Sequence, residues 1–223
     1  MKIRILGVCG SPIKRGNTEI FLAEALKAAR EITEVDTKVI YLSGKDIRDC
    51  QHCNWCLKGQ KEGQFCQQKD DMTEIYPLIL EADGLLLASP VYFGRLSGLL
   101  ANFVDRLRVF VLGNYYRDKL KDKVGGALAV VWFRSGGVET TLLTMHYAFS
   151  ALGMLPAVEH GIFLGAAGVS SLSGTGEFDP DDKHLILKDE YGLKSAGRLA
   201  RRMVEITKII KLGKEALDRE LGQ

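Results

Sequence analysis

The sequence predicts an α/β fold built on a doubly wound, five-stranded parallel sheet. Short runs that are apolar throughout alternate along the chain with longer segments in which apolar residues recur at helical spacing. Solidly apolar runs are typical of parallel strands that helices cover on both faces. The 223 residues are 46% hydrophobic and 26% charged, a composition typical of a globular protein with one core.

The first two strands are followed by an insertion. Residues 4–9 form a β-prone apolar run, and residues 18–30 carry apolar side chains at helical spacing. Residues 38–42 predict the second strand. The next helix, at 71–81, starts with an aspartate and a glutamate three positions apart, a capping-box pattern. The segment between this strand and this helix, residues 44–70, is therefore predicted to be a cysteine-rich loop.

Strands and helices continue to alternate in the second half of the chain. Buried strands are predicted at residues 84–89 and 126–132, and helices at 97–112 and 138–152. Residues 157–164 predict the fifth strand. Such a sheet has either the order 2-1-3-4-5 or that of a dinucleotide-binding half, and the chemistry of the first strand-to-helix turn distinguishes them.

The C-terminal part and the overall charge complete the predicted organisation. A Gly/Ser-rich segment at 165–182 leads into an amphipathic helix at about 190–212, and we expect residues 1–223 to form one domain. The net charge of +2 gives no electrostatic reason to expect a nucleic-acid partner. The apolar runs are shorter than the roughly 20 residues of a membrane helix. We therefore expect a cytoplasmic protein with no membrane or nucleic-acid partner.

Four of the five cysteines lie within one short segment, at Cys50, Cys53, Cys56 and Cys66. Cysteines at every third position of a curled loop can direct three thiolates at one point, and a fourth from beyond a flexible segment can complete the coordination. This spacing favours an iron-sulfur cluster over zinc, which more often uses two separated pairs of cysteines. Ordinary reduced thiols or a redox pair remain alternatives. Cys9 lies in an apolar run and is predicted to be a small buried side chain.

The turn after the first strand, residues 10–18, contains no dinucleotide or nucleotide-triphosphate motif. Its hydroxyl and amide groups, at Ser11, Asn17 and Thr18, could instead surround one phosphate monoester at the start of a helix. The alternative is that Asn17 or Thr18 only caps that helix.

Two further turns should reach the same edge of the sheet, because the carboxyl ends of parallel strands meet there. The turn after the third strand offers a proline, aromatic surface and a glycine, which suit a flat aromatic ligand, or else simple packing. The turn after the fourth strand contains Gly136 and Gly137, whose N–H groups could face a ligand or only start a helix. Together with a phosphate site, these turns predict a phosphorylated flavin.

Four stretches together resemble the iron-sulfur flavoproteins of the NADPH-dependent FMN reductase group, which are flavodoxin-like proteins. They are GSPIKRGNT at residues 10–18, the cysteine cluster followed by DDM, SPVYFGRLSG at residues 89–98 and FVDRL at residues 103–107. The resemblance implies FMN and a [4Fe-4S] cluster in each subunit of a homodimer or homotetramer. By this similarity, the phosphate would be held by Ser11, Gly16, Asn17 and Thr18, and the isoalloxazine by Pro90, Val91, Tyr92, Phe93 and Gly94.

The sequence departs from the family pattern at two places. Nine residues separate Cys56 from Cys66, a longer spacer than the compact family motif has, although a longer loop costs little closure entropy. The phosphate loop is one residue longer than the commoner GSPRKGNT form, so we assign no phosphate contact to Lys14 or Arg15.

Three functions follow from these patterns. The first is a redox protein that passes electrons between FMN and the cluster; the flavin supplies the chemistry, so no catalytic side chain is expected. The second is an NAD(P)H-dependent FMN or quinone reductase without a cluster, and the third is an electron carrier or interaction module. The expected partners are ferredoxin or NAD(P)H and a small-molecule acceptor. An apolar and aromatic stretch could serve a subunit interface; it consists of Phe110, Val111, Leu112, Tyr115 and Tyr116.

Overall fold

A computed structural model of the chain, in which residues 1–221 are described, contains one six-stranded parallel sheet. The strands are β1 Ile3–Cys9, β2 Val35–Tyr41, β3 Gly84–Pro90, β4 Val124–Val131, β5 Leu155–Pro156 and β6 Ala166–Val169. Their order is β2-β1-β3-β4-β5, with β6 also paired to β4. The predicted order 2-1-3-4-5 is therefore confirmed.

Helices follow the strands as the periodicity predicts. They are α1 Asn17–Arg30, α2 Met72–Glu81, α3 Gly98–Arg106, α4 Arg108–Val111, α5 Val138–Ala151 and α6 Glu190–Leu221, with 3-10 turns at Trp55–Leu57 and Leu185–Lys188. The helix predicted at 97–112 is divided at Leu107, and the C-terminal helix runs to Leu221, beyond its predicted end.

The fifth strand is not where the sequence placed it. The prediction at 157–164 is wrong, because two shorter strands on either side of that segment pair with β4 instead. The apolar run is interrupted by Glu159, His160 and Gly161, and Gly161 has a φ of 74°. A positive φ favours a turn at glycine, so the run leaves the sheet and returns at Ala166.

The two faces of the sheet carry separate apolar clusters. Helices α1 and α6 cover one face, where Phe21, Leu26 and Met203 are buried against β1 and β4. Helices α2, α3 and α5 cover the other, together with the segment that contains the four neighbouring cysteines. That segment runs between β2 and α2, and hence starts at the carboxyl edge of the sheet.

No helix within residues 1–221 is long and apolar enough to cross a membrane.

Lys123 lies before β4 and closes the C-terminal end of α2. Its Nζ atom donates hydrogen bonds to the carbonyl oxygens of Leu80 at 2.5 Å and Ala82 at 2.6 Å. Burial lowers the pKa of Lys123 from 10.5 to about 8, and the nearby charges of Lys211 and Lys214 lower it further, against the effect of Asp83.

This lowered pKa predicts a rise in stability at alkaline pH. Between pH 8 and 10.5 the unfolded chain binds a proton at Lys123 that the folded chain does not, so its contribution to the free energy of unfolding increases with pH. Urea unfolding across this range should show a steeper rise for the wild type than for Lys123→Met. Lys121→Met, at an exposed position nearby, is the control, and its free energy of unfolding should change with pH as that of the wild type does. If the free energy of unfolding changed with pH in the same way for all three proteins, Lys123 would not have the lowered pKa.

Candidate functional site

The carboxyl ends of β1, β3 and β4 bring the three predicted ligand turns to one edge of the sheet. The Gly10 N–H donates to the Ala88 carbonyl at 2.8 Å, and the Val91 N–H donates to the Val130 carbonyl at 2.8 Å. The Ser97 hydroxyl, at the start of α3, donates to the Gly10 carbonyl at 2.6 Å. These bonds fix the first two turns relative to each other, at the place where strand order reverses.

The first turn leads into the N-terminus of α1. Ser11 is buried, and its hydroxyl accepts a hydrogen bond from the Ile13 N–H at 3.1 Å. Gly16 is the N-cap residue and has no side chain to cap this end of the helix, and the Arg15 N–H just before it donates to the Glu19 carboxylate at 2.7 Å. Thr18 is buried in the first helical turn. Uncapped N–H groups at a helix N-terminus, together with the helix dipole, form a binding site for an anion.

Asn17 has a structural contact that the sequence did not indicate. Its Nδ2 donates to the Lys183 carbonyl at 3.1 Å, and its Oδ1 accepts from the Ile186 N–H at 3.1 Å. In the same region a ring nitrogen of His184 lies 3.1 Å from the Arg15 carbonyl. Asn17 therefore ties the first turn to the segment before α6, which no local sequence signal predicts.

The second turn presents aromatic side chains at the edge of the sheet. Pro90 and Val91 are half-buried, Tyr92 is exposed and Phe93 is fully exposed. The Tyr92 N–H donates to the Arg95 carbonyl at 2.9 Å, which closes a tight turn. Phe93 and Gly94 have φ values of 51° and 73°, a region that glycine adopts readily and an aromatic residue rarely does.

The second and third turns are in direct backbone contact. Gly137 has a φ of 93°, and a Cβ atom added there would lie 2.4 Å from Gly94 Cα. The Thr140 hydroxyl is 2.5 Å from the Gly94 carbonyl oxygen and 3.0 Å from that of Gly137. Gly136 is also closely packed, since a Cβ there would lie 2.8 Å from the Phe133 carbonyl oxygen. The structure thus brings together glycines that the sequence placed only on the same edge.

The four neighbouring cysteines differ in burial. Cys56 is buried, Cys50 and Cys66 are half-buried, and Cys53 is exposed. Burial raises the pKa of the Cys56 thiol, and the charges of the other three thiols raise it further, while Arg108 lowers it. Across residues 1–221, no three His, Cys, Asp or Glu side chains are already arranged to hold a metal ion.

The local backbone explains how this segment curls. His52 and Asn54, which flank Cys53, have φ values of 50° and 60°. Alternating left-handed residues reverse the chain within a few positions, so the cysteines are not spread along an extended strand. Arg108 donates to the Asn54 side-chain oxygen at 2.6 Å, which places a cation beside the curl. The four cysteines are soft sulfur donors that bind metals as thiolates, and Arg108 is a cation beside them. Such a set of donors suits an iron-sulfur cluster.

Cys9 is separate from this group. It is buried in β1, and burial raises the pKa of its thiol to about 12, which makes it an inert apolar side chain, as predicted.

A buried aromatic cluster supports the cysteine segment. The Phe65 ring stacks on Tyr116 at 3.9 Å and on Tyr76 at 5.0 Å between ring centroids. Phe110 packs edge-on against Phe65, with its centroid 5.9 Å away. Phe110 and Tyr116 are buried within the chain and so are not available to a subunit interface, whereas Tyr115 of the same stretch is 47% exposed.

A buried ion pair joins the two ends of the cysteine segment. Asp70 and Arg106 form a two-pronged pair, and their side chains are 0% and 1% exposed. Asp70 also accepts from the Arg48 N–H at 3.2 Å, and Arg106 donates to the Arg48 carbonyl at 2.9 Å. Burial alone would lower the pKa of Arg106, but the hydrogen bonds and charge of Asp70 raise it. Both residues belong to motifs quoted above, DDM and FVDRL, yet their pairing was not predicted.

The sheet order and the ligand turns at its reversal point define a flavodoxin-like α/β protein. A family model described as NADPH-dependent FMN reductase matches residues 3–167. An iron-sulfur flavoprotein of Methanocaldococcus jannaschii is 36% identical over 209 residues, covering 94% of this chain and 100% of the relative. One from Archaeoglobus fulgidus is 35% identical over 202 residues, covering 91% and 96%. The chain belongs to the NADPH-dependent FMN reductase family and, within it, to the iron-sulfur flavoproteins. It is a flavin-dependent oxidoreductase.

Solved structures agree with the fold. A flavone reductase superposes with a TM-score of 0.64 at 19% sequence identity, covering 94% of this chain and 64% of that chain. A likeness at this identity concerns the fold alone.

The Asp70–Arg106 pair should be a large contributor to stability. Asp70→Ala leaves the Arg106 guanidinium buried without its counter-ion, which should lower the free energy of unfolding by about 3–5 kcal/mol. Urea unfolding measures this loss. Asp105→Ala, an acidic neighbour on α3, is the control and should change stability little. If Asp70→Ala and Asp105→Ala were equally stable, the pair would not hold the segment closed.

Proposed function

We propose that this protein passes electrons between FMN, bound at the edge of the sheet, and a [4Fe-4S] cluster held by Cys50, Cys53, Cys56 and Cys66. The observation that carries the proposal is that all four cysteines lie in one segment, which starts at the same edge of the sheet and is held at its base by the buried Asp70–Arg106 pair. We also propose that residues 1–223 form a single FMN-binding domain.

The FMN phosphate would lie at the N-terminus of α1. The uncapped N–H groups there and the helix dipole favour a dianion. The proposed phosphate contacts are Ser11, Gly16, Asn17 and Thr18. The Asn17 amide already bonds the segment before α6, so it would also hold the shape of this loop.

The isoalloxazine ring would lie against the second and third turns. The proposed contacts are Pro90, Val91, Tyr92, Phe93, Gly94, Gly136 and Gly137. The close approach of Gly94 to Gly137 leaves backbone rather than side chains at that point, which suits a flat ring. Exposed Tyr92 and Phe93 supply the aromatic surface.

Four thiolates would hold the cluster, and Arg108 would offset part of its negative charge. FMN accepts a hydride or two single electrons, and a [4Fe-4S] cluster exchanges electrons one at a time. The role of the protein is therefore to bind and orient both groups, and we assign no catalytic side chain. We propose NAD(P)H or a ferredoxin as the donor, a small-molecule acceptor, and assembly as a homodimer or homotetramer.

A second candidate is an NAD(P)H-dependent FMN or quinone reductase that uses the flavin alone. The family description favours it, because NADPH-dependent FMN reductase names a flavin activity without a cluster. Rapid bleaching of the flavin by NAD(P)H with turnover of a quinone, in protein that contains no iron, would support this candidate over the first.

Cofactor analysis tests the main proposal. Protein purified without oxygen should contain FMN with about four iron atoms and about four acid-labile sulfides per chain. Cys56→Ser should lose most of the iron and keep FMN, because the flavin turns lie on other segments. Cys9→Ala, which removes the fifth cysteine, should keep both groups. A flavin-only absorption spectrum and no iron in the wild type would rule out the cluster.

The contact between the second and third turns predicts a loss of flavin affinity on substitution. Gly137→Ala adds a Cβ atom 2.4 Å from Gly94 Cα at a φ of 93°, so the two turns must separate. The Kd for FMN, measured by fluorescence titration of the apoprotein, should rise at least about tenfold, or ~1.4 kcal/mol. Gly98→Ala is the matched control, because a Cβ there meets nothing within 4 Å. An unchanged Kd for Gly137→Ala would remove these turns from the site.

A further inference from the structure

The spacer between Cys56 and Cys66 contains one buried polar side chain. Gln60 is only 5% exposed, in a stretch where Lys61, Glu62 and Gly63 are all exposed. A buried carboxamide is costly unless its hydrogen-bonding groups are satisfied. Its partners therefore indicate what Gln60 does.

The Gln60 carboxamide makes four hydrogen bonds, all to backbone groups. Its Nε2 donates to the Phe65 carbonyl at 2.9 Å and to the Val109 carbonyl at 3.1 Å. Its Oε1 accepts from the N–H groups of Tyr115 and Tyr116, each at 3.1 Å. Two N–H donors and two lone pairs are the full capacity of a carboxamide, so the side chain is completely satisfied.

These partners connect the spacer to both cysteines that flank it. Phe65 immediately precedes Cys66. On the other side, the Asn114 N–H donates to the Cys56 carbonyl at 3.0 Å. The Asn114 side chain also accepts from the Gln60 N–H at 2.9 Å and donates to the Gln60 carbonyl at 3.2 Å. Cys56 and the residue before Cys66 are thus held by the same short segment, residues 113–116.

The surrounding structure is shaped for this side chain. A Cβ atom at Gly113 would lie 2.1 Å from Gln60 Oε1 and 2.2 Å from the Val109 carbonyl oxygen, so glycine is needed there. The turn beyond Gln60 is closed by the Gln64 N–H, which donates to the Lys61 carbonyl at 2.9 Å. The nine-residue spacer is therefore an ordered turn fixed at its base.

We propose that Gln60 is a positioning residue that holds Cys66 beside Cys56, so that the long spacer still presents a fourth thiolate to the cluster. This inference rests on the proposed function. The ordered turn removes the need to close a flexible loop when the cluster binds. Gln60 would not touch the cluster. It would act through its hydrogen bond to the Phe65 carbonyl, next to Cys66.

Gln60→Glu tests the inference with little change of shape. The variant can still accept from Tyr115 and Tyr116 but cannot donate to Phe65 and Val109, so it breaks the connection toward Cys66. The matched control is Gln67→Glu, the same change at an exposed position next to Cys66. The anaerobically purified proteins are compared for FMN content, iron content, the rate of iron loss to a chelator and the electron paramagnetic resonance spectrum after reduction.

The expected result is that Gln60→Glu keeps the FMN content of the wild type, loses iron about tenfold faster and gives an altered spectrum. Gln67→Glu should match the wild type in all four measurements. Iron retention and a spectrum like those of the wild type in Gln60→Glu would overturn the inference and leave the proposed function standing. Loss of FMN together with iron would show a general role in folding and would also overturn it. A wild type without iron would overturn both.

Discussion

The buried pair between Asp70 and Arg106 is the constraint on which the cysteine segment depends. Two opposite charges are removed from water, and their cost is offset because each also bonds the backbone of Arg48, on the far side of the segment. The pair joins residues that are 36 positions apart. It therefore closes the base of the segment, connects it to α3 and fixes where α2 begins. The position of the thiols follows from this closure.

The three turns at the carboxyl edge of the sheet depend on a different constraint, the order of the strands. Because β1 and β3 are neighbours and both end at the same edge, Gly10, Ser97 and Val91 are held by backbone and hydroxyl bonds. The third turn reaches them only because Gly94 and Gly137 lack side chains. Sheet topology thus forms the proposed FMN site, and side-chain contacts position the segment that contains the four cysteines.

This difference explains what could be predicted from the sequence. Strand order and the positions of the three turns follow from apolar periodicity, which local sequence carries. The fifth strand was misplaced because an apolar run resembles a strand even where Gly161 turns the chain. The roles of Gln60, Asp70 and Arg106 were missed because they depend on partners as far as 58 residues away in the sequence. A glutamine in an exposed-looking spacer and an arginine in a helix both resemble surface residues until the tertiary contacts are known.

The contacts of Gln60 have a consequence for the order of events as the protein matures. Its partners extend to Tyr116, so a chain emerging from the ribosome presents all four neighbouring cysteines well before the residues that organise them. The contacts that order the segment need Arg106 on α3 and Val109 on α4 to be in place. This is the reverse of a zinc finger, in which the metal drives folding. In this protein, the contacts that order the segment are hydrogen bonds and an ion pair that involve none of its thiols.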